Sequence, residues 1–244
     1  MSLPDNYDQF WRASAYSPYN LAELARQQDA FNGQQKQASI VAYPQKPLPL
    51  PVQKRHPLRT IENRRKSIRT FTDTALTTAD LSNILSSFRS TSDLEHRTYP
   101  SAGAMYGLEI FCVTYDVENF TNKLLYYNPD QHAVSVVGDA PSWDEASNNC
   151  NIDTDGSPQC IILFVSLPER LTAKYGERGG RFALIECGAA LQQLTMHVAS
   201  SKSLAGCPVG GLIDAYWLRQ LNLSDTSHQV MLGYVCGKAA KNQQ

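Results

Sequence analysis

The sequence predicts an α+β fold. Helical and strand-like segments mix along the chain without a repeating βαβ period, which disfavours a doubly wound parallel sheet. Residues 160–165 form an unbroken apolar run of strand length, as expected for a central strand buried on both faces. Residues 181–200 repeat apolar groups at three- and four-residue steps, the pattern of one long helix.

Taken in order, residues 1–42 read as one or two short helices, the first capped by Asp5 and running through Trp11, the second over 21–31. Tyr43-Pro44-Gln45-Lys46-Pro47-Leu48-Pro49-Leu50-Pro51 follows. Proline at nearly every second position removes amide donors and fixes φ, so this stretch is extended. Leu48, Leu50 and Val52 alternate along it, which suits an arm lying on a surface better than a free linker. The body begins near residue 56, giving an N-terminal segment (1–55) and a main domain (56–244). A short helix is expected over 60–66. Thr78 caps an amphipathic helix with Leu81, Ile84, Leu85 and Phe88 on one face. Residues 109–115 are β-rich. Strands over 123–127 and 133–137 straddle Asn128-Pro129-Asp130-Gln131, a hairpin signal. A central strand over 161–166, the long helix over 181–200 and a last strand over 230–236 complete the chain, and no internal repeat is visible.

The long helix carries Cys187-Gly188-Ala189-Ala190 at its middle. A mid-helix glycine costs about 1 kcal/mol relative to alanine. Close helix packing within the chain and packing against a second subunit explain that composition equally well.

Bulk properties exclude several functions. The 244 residues carry a net charge of −1, which gives no electrostatic reason for nucleic acid or an anionic membrane as partner. The start, Met1-Ser2-Leu3-Pro4-Asp5, lacks the basic-then-apolar order of a signal peptide, and no apolar run is long enough to span a bilayer. A soluble, cytoplasmic protein is expected. Six cysteines contain no C-x-x-C pair, so zinc and dithiol chemistry are not expected, and buried free thiols are. No metal site is expected. Neither a Gly-x-Gly-x-x-Gly nor a Walker pattern occurs.

Four short blocks carry the chemistry. Lys174-Tyr175, followed by Gly176-Glu177-Arg178-Gly179-Gly180-Arg181, sets two proton-handling side chains in a glycine-rich turn at the mouth of the long helix. Both residue types titrate near pH 10 and need burial or a neighbouring charge to act near neutrality. Taken alone, the dipeptide reads as solvated surface with a half-buried ring, and the other blocks shift that reading. Arg64-Arg65-Lys66-Ser67-Ile68-Arg69 alternates cations with a hydroxyl, a donor set suited to phosphate, or else a plain basic turn. Tyr99-Pro100-Ser101-Ala102-Gly103-Ala104-Met105-Tyr106 has a centre of minimal side chains that lets backbone approach a planar ligand. Gly206-Cys207-Pro208-Val209-Gly210-Gly211 offers consecutive backbone N–H groups to a bound ring.

In order and content these blocks resemble the nitroreductase superfamily of FMN-binding homodimers. More narrowly, they are similar to its SagB-type dehydrogenase branch, the azoline oxidases of thiazole- and oxazole-containing peptide pathways. The likeness runs from about residue 56 to 238, and Phe10-Trp11-Arg12-Ala13-Ser14 is similar to the same branch. It implies a central, mostly antiparallel sheet flanked by helices in an intertwined homodimer, with FMN at the subunit interface. Arg65, Ser67 and Arg69 would hold the phosphate and ribityl chain, with backbone contacts from Lys66 and a further cation from Lys238. Pro100, Ser101, Ala102 and Gly103 would lie against the isoalloxazine from the other subunit. Pro208, Val209, Gly210 and Gly211 would bring an amide near flavin N5. The paired catalytic residues would be Lys174 and Tyr175, one of them taking the ring proton while FMN accepts the hydride, with Arg178 and Arg181 lowering the pKa of Tyr175. A peptide substrate and a cyclodehydratase partner are implied.

Two positions depart from the branch. Gly107 stands where proline is usual and Gly180 where an aromatic is usual, and both changes are expected to remove bulk beside the substrate pocket. An NAD(P)H-dependent nitro- or quinone-reductase using the same flavin site, and a non-catalytic member that binds a peptide or partner through the proline-rich arm, remain as alternatives.

Overall fold

The computed structural model describes residues 3–18, 20, 26, 51 and 56–240. The expected helix over 21–31 and the proline-rich arm lie, single positions apart, outside the described residues.

A six-stranded sheet organises the chain: β1 (Leu108–Thr114), β2 (Lys123–Asn128), β3 (Ala133–Asp139), β4 (Cys160–Ser166), β5 (Leu204–Val209) and β6 (Gln229–Lys238). Its order is β3-β2-β1-β4-β6-β5, and every neighbouring pair is antiparallel, as the resemblance implied. The helices are α1 (Asp5–Ser14), α2 (Arg59–Arg64), α3 (Thr78–Leu85), α4 (Trp143–Asn148), α5 (Pro168–Tyr175), α6 (Arg178–Ser200) and α7 (Asp214–Gln220).

Alternation along β4 divides the core in two. Cys160, Ile162 and Phe164 face Leu81, Ile84 and Leu85 of α3 and Cys187, Ala190, Leu194 and Val198 of α6. Ile161, Leu163 and Val165 face Ala146 of α4 and Tyr216, Trp217 and Leu218 of α7. Helices thus cover both faces, which is why β4 is buried at every position.

Boundaries differ from the sequence reading in instructive places. α3 is capped by Thr77, not Thr78, through a box in which Thr77 Oγ1 accepts from Asp80 N and Asp80 accepts from Thr77 N. Asp5 opens α1 without capping it; the cap comes from a distant carboxylate described below. No strand is assigned from the sequence over β5, which contains Pro208. It lies at the sheet edge, where a missing N–H costs no ladder bond. Among the described residues nothing approaches Gly188: a Cβ there would meet no atom within 4 Å. Packing among those residues therefore does not explain that glycine. Leu184 and Ile185, on the same face, are 44 % and 65 % exposed.

All six cysteines are free and buried, and among the described residues no helix is long and apolar enough to cross a membrane.

Asp214, in the first turn of α7, is pushed up to about 6 from 3.8 by burial. The folded state therefore holds this proton more tightly than the unfolded chain, so the group destabilises the fold above about pH 6, and the penalty vanishes as pH falls toward 3.8. Asp214→Asn is expected to stabilise the protein by roughly 1 kcal/mol at pH 7.5, after discounting for partial exposure, and by nothing at pH 4. Urea unfolding at both pH values measures it; an equal effect at both would contradict the assignment.

Candidate active site

The segment leading into β1 is built under strain. Gly103 (φ +59), Ala104 (φ +54) and Tyr106 (φ +45) all adopt left-handed backbone. For the two non-glycine residues this costs about 1–2 kcal/mol each, so tertiary contacts must impose it. Arg97 supplies several. Its backbone N–H donates to Tyr106 Oη (2.9 Å), its Nη1 donates to Tyr99 Oη (3.0 Å) and Leu108 O (3.1 Å), and its guanidinium lies 4.9 Å over the Tyr106 ring. From α5, Arg170 donates to Tyr106 O (3.0 Å) and pairs with Glu109 (2.7 Å).

Glu186 of α6 holds the same segment from behind. It is 2 % exposed. Its Oε2 accepts from Ser101 Oγ (2.6 Å) and its Oε1 from Leu108 N (3.1 Å); the Gly107 amide adds a third donor. Burial pushes its carboxyl above the usual range, against the opposing pull of these donors and the Arg97 charge. Ser101 Oγ also accepts from Tyr106 N (2.9 Å), so this hydroxyl is engaged within the chain.

Lys174 and Tyr175 end α5, a helix of their own, and do not lie in the turn itself. Gly176 (φ +55) breaks α5, and α6 starts at Arg178, three residues before the expected 181. The Tyr175 ring packs edge-on to Phe182 with centroids 4.9 Å apart, and Lys174 Nζ lies 5.4 Å from the centroid of the Tyr175 ring. Lys174 is exposed and Tyr175 half-buried. Both meet Gly103: a Cβ at that position would stand 2.4 Å from Tyr175 Oη and 2.7 Å from Lys174 Nζ. Two motifs some seventy residues apart in sequence therefore converge on one glycine that permits both the backbone conformation and the approach. Arg178 and Arg181 are exposed in the first turn of α6.

The basic block lies elsewhere, along β5 and β6. Ile68 N donates to Gly206 O (2.9 Å) and Thr72 N to Lys238 O (3.1 Å). Ser67 and Arg69 reach Cys207, whose thiol is raised by burial and lowered by the Arg69 charge. Arg65, Lys66, Ser67 and Arg69 are exposed, and none of the ion pairs among the described residues involves the three cations. The half-buried Arg64 has a buried Nε without a partner. Pro208 and Val209 end β5 beside this block; Gly210 is exposed with open space around it, and Gly211 packs against Asn151. Lys238 is different. Its Nζ pairs with Asp80 (2.7 Å), the residue that closes the α3 capping box, so its charge has a partner within the chain. No hydrogen bond or ion pair among the described residues joins the basic block to the Gly103–Lys174–Tyr175 group.

The two expected losses of bulk are filled. Beside Gly107 stand Leu171 and Leu167, 3.3 Å from where a Cβ would be. Beside Gly180 lies the ring of Tyr7, with Cδ2 2.2 Å from the Cβ position. Sequence reading assigned no role to Glu186, Arg97, Arg170 or Tyr7. A carboxylate on the apolar face between Ala183 and Cys187 was the one available signal for Glu186.

A family model described as the nitroreductase family matches residues 63–238. The chain belongs to the nitroreductase family. That makes it an oxidoreductase, and the FMN that the motifs implied is the cofactor this family uses. The exposed cationic block suits a phosphate tail, and the open Gly210 suits close approach of a flat ring. The nitroreductase-named protein MJ1384 of Methanocaldococcus jannaschii is 30% identical over 153 residues, covering 62% of this chain and 77% of that protein. The microcin B17-processing protein McbC of Escherichia coli is 28% identical over 133 residues, covering 52% of this chain and 48% of McbC, so the match spans about half its length. Among solved structures, the E. coli microcin synthetase McbBCD complex with truncated pro-MccB17 aligns with a TM-score of 0.68 at 20% identity, covering 98% of this chain and 88% of that one. A nitroreductase in complex with FMN from Desulfovibrio desulfuricans aligns at 0.53 and 18% identity, covering 78% and 90%. These structural likenesses show the fold.

Two substitutions probe the geometry. Glu186→Ala strands Ser101 Oγ and the amides of Gly107 and Leu108, and is expected to cost about 2–3 kcal/mol in chemical denaturation; a cost below 0.5 kcal/mol would show that the carboxylate does not hold the segment. Gly103→Ala meets only the movable ends of Lys174 and Tyr175. It is expected to cost about 1 kcal/mol in stability while lowering turnover at least about 10-fold, and unchanged turnover would separate the glycine from the chemistry.

Proposed function

We propose that the protein is an FMN-dependent dehydrogenase that aromatises azoline rings in a modified peptide to thiazole or oxazole. In this reading residues 56–244 form the FMN-binding domain and residues 1–55 an accessory segment, and the enzyme acts in the cytoplasm. The observation that carries it is the convergence of Lys174 Nζ and Tyr175 Oη on Gly103. It joins the two motifs whose resemblance is specific to the azoline-oxidising branch. The likeness to McbC, named as a microcin-processing protein, supports the same choice.

The exposed guanidinium and ammonium groups of Arg65, Lys66 and Arg69, with the Ser67 hydroxyl, would hold the phosphate end of FMN. Lys238, paired with Asp80, adds positive charge at one remove. When bound, FMN supplies the hydride acceptor. Pro100, Ala102 and Gly103 would lie along one side of the ring. Ser101 acts through its bond to Glu186, which fixes the loop. The backbone of Pro208, Val209, Gly210 and Gly211 would face the ring from the other group. Lys174 Nζ or Tyr175 Oη takes the proton from the azoline carbon.

A homodimer completes the site. Among the described residues no hydrogen bond or ion pair joins the basic block to the Gly103 loop, so FMN bridges them most simply across two copies. The exposed Leu184, Ile185 and bare Gly188 face of α6 supports such an interface, since burying each large side chain contributes about 1.5–3 kcal/mol. The substrate is a peptide, and a cyclodehydratase that forms the azoline is the expected partner.

Purified protein should be yellow and elute as a dimer. Anaerobic mixing with a thiazoline-containing peptide should bleach the flavin, and Lys174→Ala with Tyr175→Phe should slow that step by about 10²–10⁴-fold while flavin stays bound. Bleaching by NADPH but not by the thiazoline would make the protein a reductase; a colourless protein that takes up no FMN would make it a binding member.

A further inference from the structure

We infer that the N-terminal helix α1 is a positioning element for the turn that follows Lys174 and Tyr175 at the end of α5, locked in place by the Tyr7 ring in the notch left by Gly180. The inference rests on the reading of Lys174 and Tyr175 as the proton-handling pair.

The turn is loose by composition. Gly176, Gly179 and Gly180 fall within five residues, and each glycine adds backbone freedom that folding must remove. Gly179 is restrained from α5: a Cβ there would stand 2.7 Å from the Leu171 backbone. Between the glycines stands Glu177, and α1 restrains it. Its Oε1 accepts from Asn6 N (3.1 Å) and Asn6 Nδ2 (3.2 Å), and its Oε2 from Tyr7 N (3.0 Å). A carboxylate two residues beyond Tyr175 thus caps a helix some 170 residues away in sequence, satisfying amides that α1 cannot satisfy for itself. The helix has no side-chain cap of its own.

Tyr7 supplies the second restraint. It is 6 % exposed on a helix that is otherwise mostly exposed. Its ring occupies the space a side chain at 180 would need, and its hydroxyl donates to Gln229 at the start of β6. One residue therefore ties α1 both to the base of α6 and to the sheet. Position 180 and Tyr7 compete for a single volume, so a methyl group at 180 must evict the ring. A cavity of about 460 Å³ opens beside the contact, lined by Tyr7, Phe10, Gly180, Arg181 and Leu184 among others.

The test compares Tyr7→Ala, which empties the notch, with Gly180→Ala, which blocks it, in full-length holoprotein. Release of α1 is read by tryptic cleavage after Arg12, independently of turnover. Chemistry is read by single-turnover flavin reduction with a thiazoline peptide. Both variants should be cut faster after Arg12 and keep full flavin content. Their rate at saturating peptide should fall on the order of 10-fold to 100-fold, with the peptide concentration at half-saturation unchanged. Faster cleavage with an unchanged rate would overturn the inference, as would a Gly180→Ala protein whose α1 stays protected. If Gly180→Ala does not fold, Tyr7→Ala decides alone, because it removes atoms and inserts none. A Lys174→Ala enzyme with normal turnover would instead remove the underlying catalytic reading, and the cleavage measurement would still report whether Tyr7 holds α1.

Discussion

The Glu186 carboxylate, 2 % exposed on α6, joins elements that hydrophobic packing alone would leave in loose register. Its oxygens take Ser101 Oγ at 2.6 Å and Leu108 N at 3.1 Å, fixing the long helix to the first residue of β1 and to the small-residue loop before it. A buried charge is tolerated only where donors replace water. Here the donors come from the segment that must be held still, so the requirement for satisfaction and the requirement for position are met by the same bonds. The left-handed backbone at Gly103, Ala104 and Tyr106 persists because of this anchor and the Arg97 and Arg170 contacts on the opposite side.

The sheet provides a rigid support for both functional groups. β4 is buried at every residue and pairs on both edges, with β1 on one side and β6 on the other. The Gly103 loop enters through β1, while the basic block runs along β5 and β6. The first group is thus attached to the strand beside the centre and the second to β6 and the edge strand β5, so one sheet supports both within each chain.

The residue types at the functional blocks were legible in the sequence because they break the local rules of an ordinary core or surface. Ala102, Gly103 and Ala104 have too little bulk for a simple turn, and Arg65, Lys66, Ser67 and Arg69 form a cationic donor set with no carboxylate among them. The central strand and the long helix were legible from their apolar periods, to within a few residues. β5 was missed because proline argues against a strand unless the strand is known to lie at an edge, and edges belong to topology. The helix holding Lys174 and Tyr175 was missed because its eight residues are too few for a clear period. The roles of Glu186 and Tyr7 were missed because both depend on partners 78 to 222 positions away.

The sequence by itself determined the α+β class and the order of the motifs, since these follow from residue type and short-range spacing; the flavin came from the resemblance those motifs carry. The tertiary structure decided which motifs meet. It brought Gly103 to Lys174 and Tyr175, gave Lys238 to Asp80, and put the Tyr7 ring where Gly180 has no side chain. Such pairings depend on excluded volume and on hydrogen-bond satisfaction between distant segments, and no local pattern in the chain encodes either.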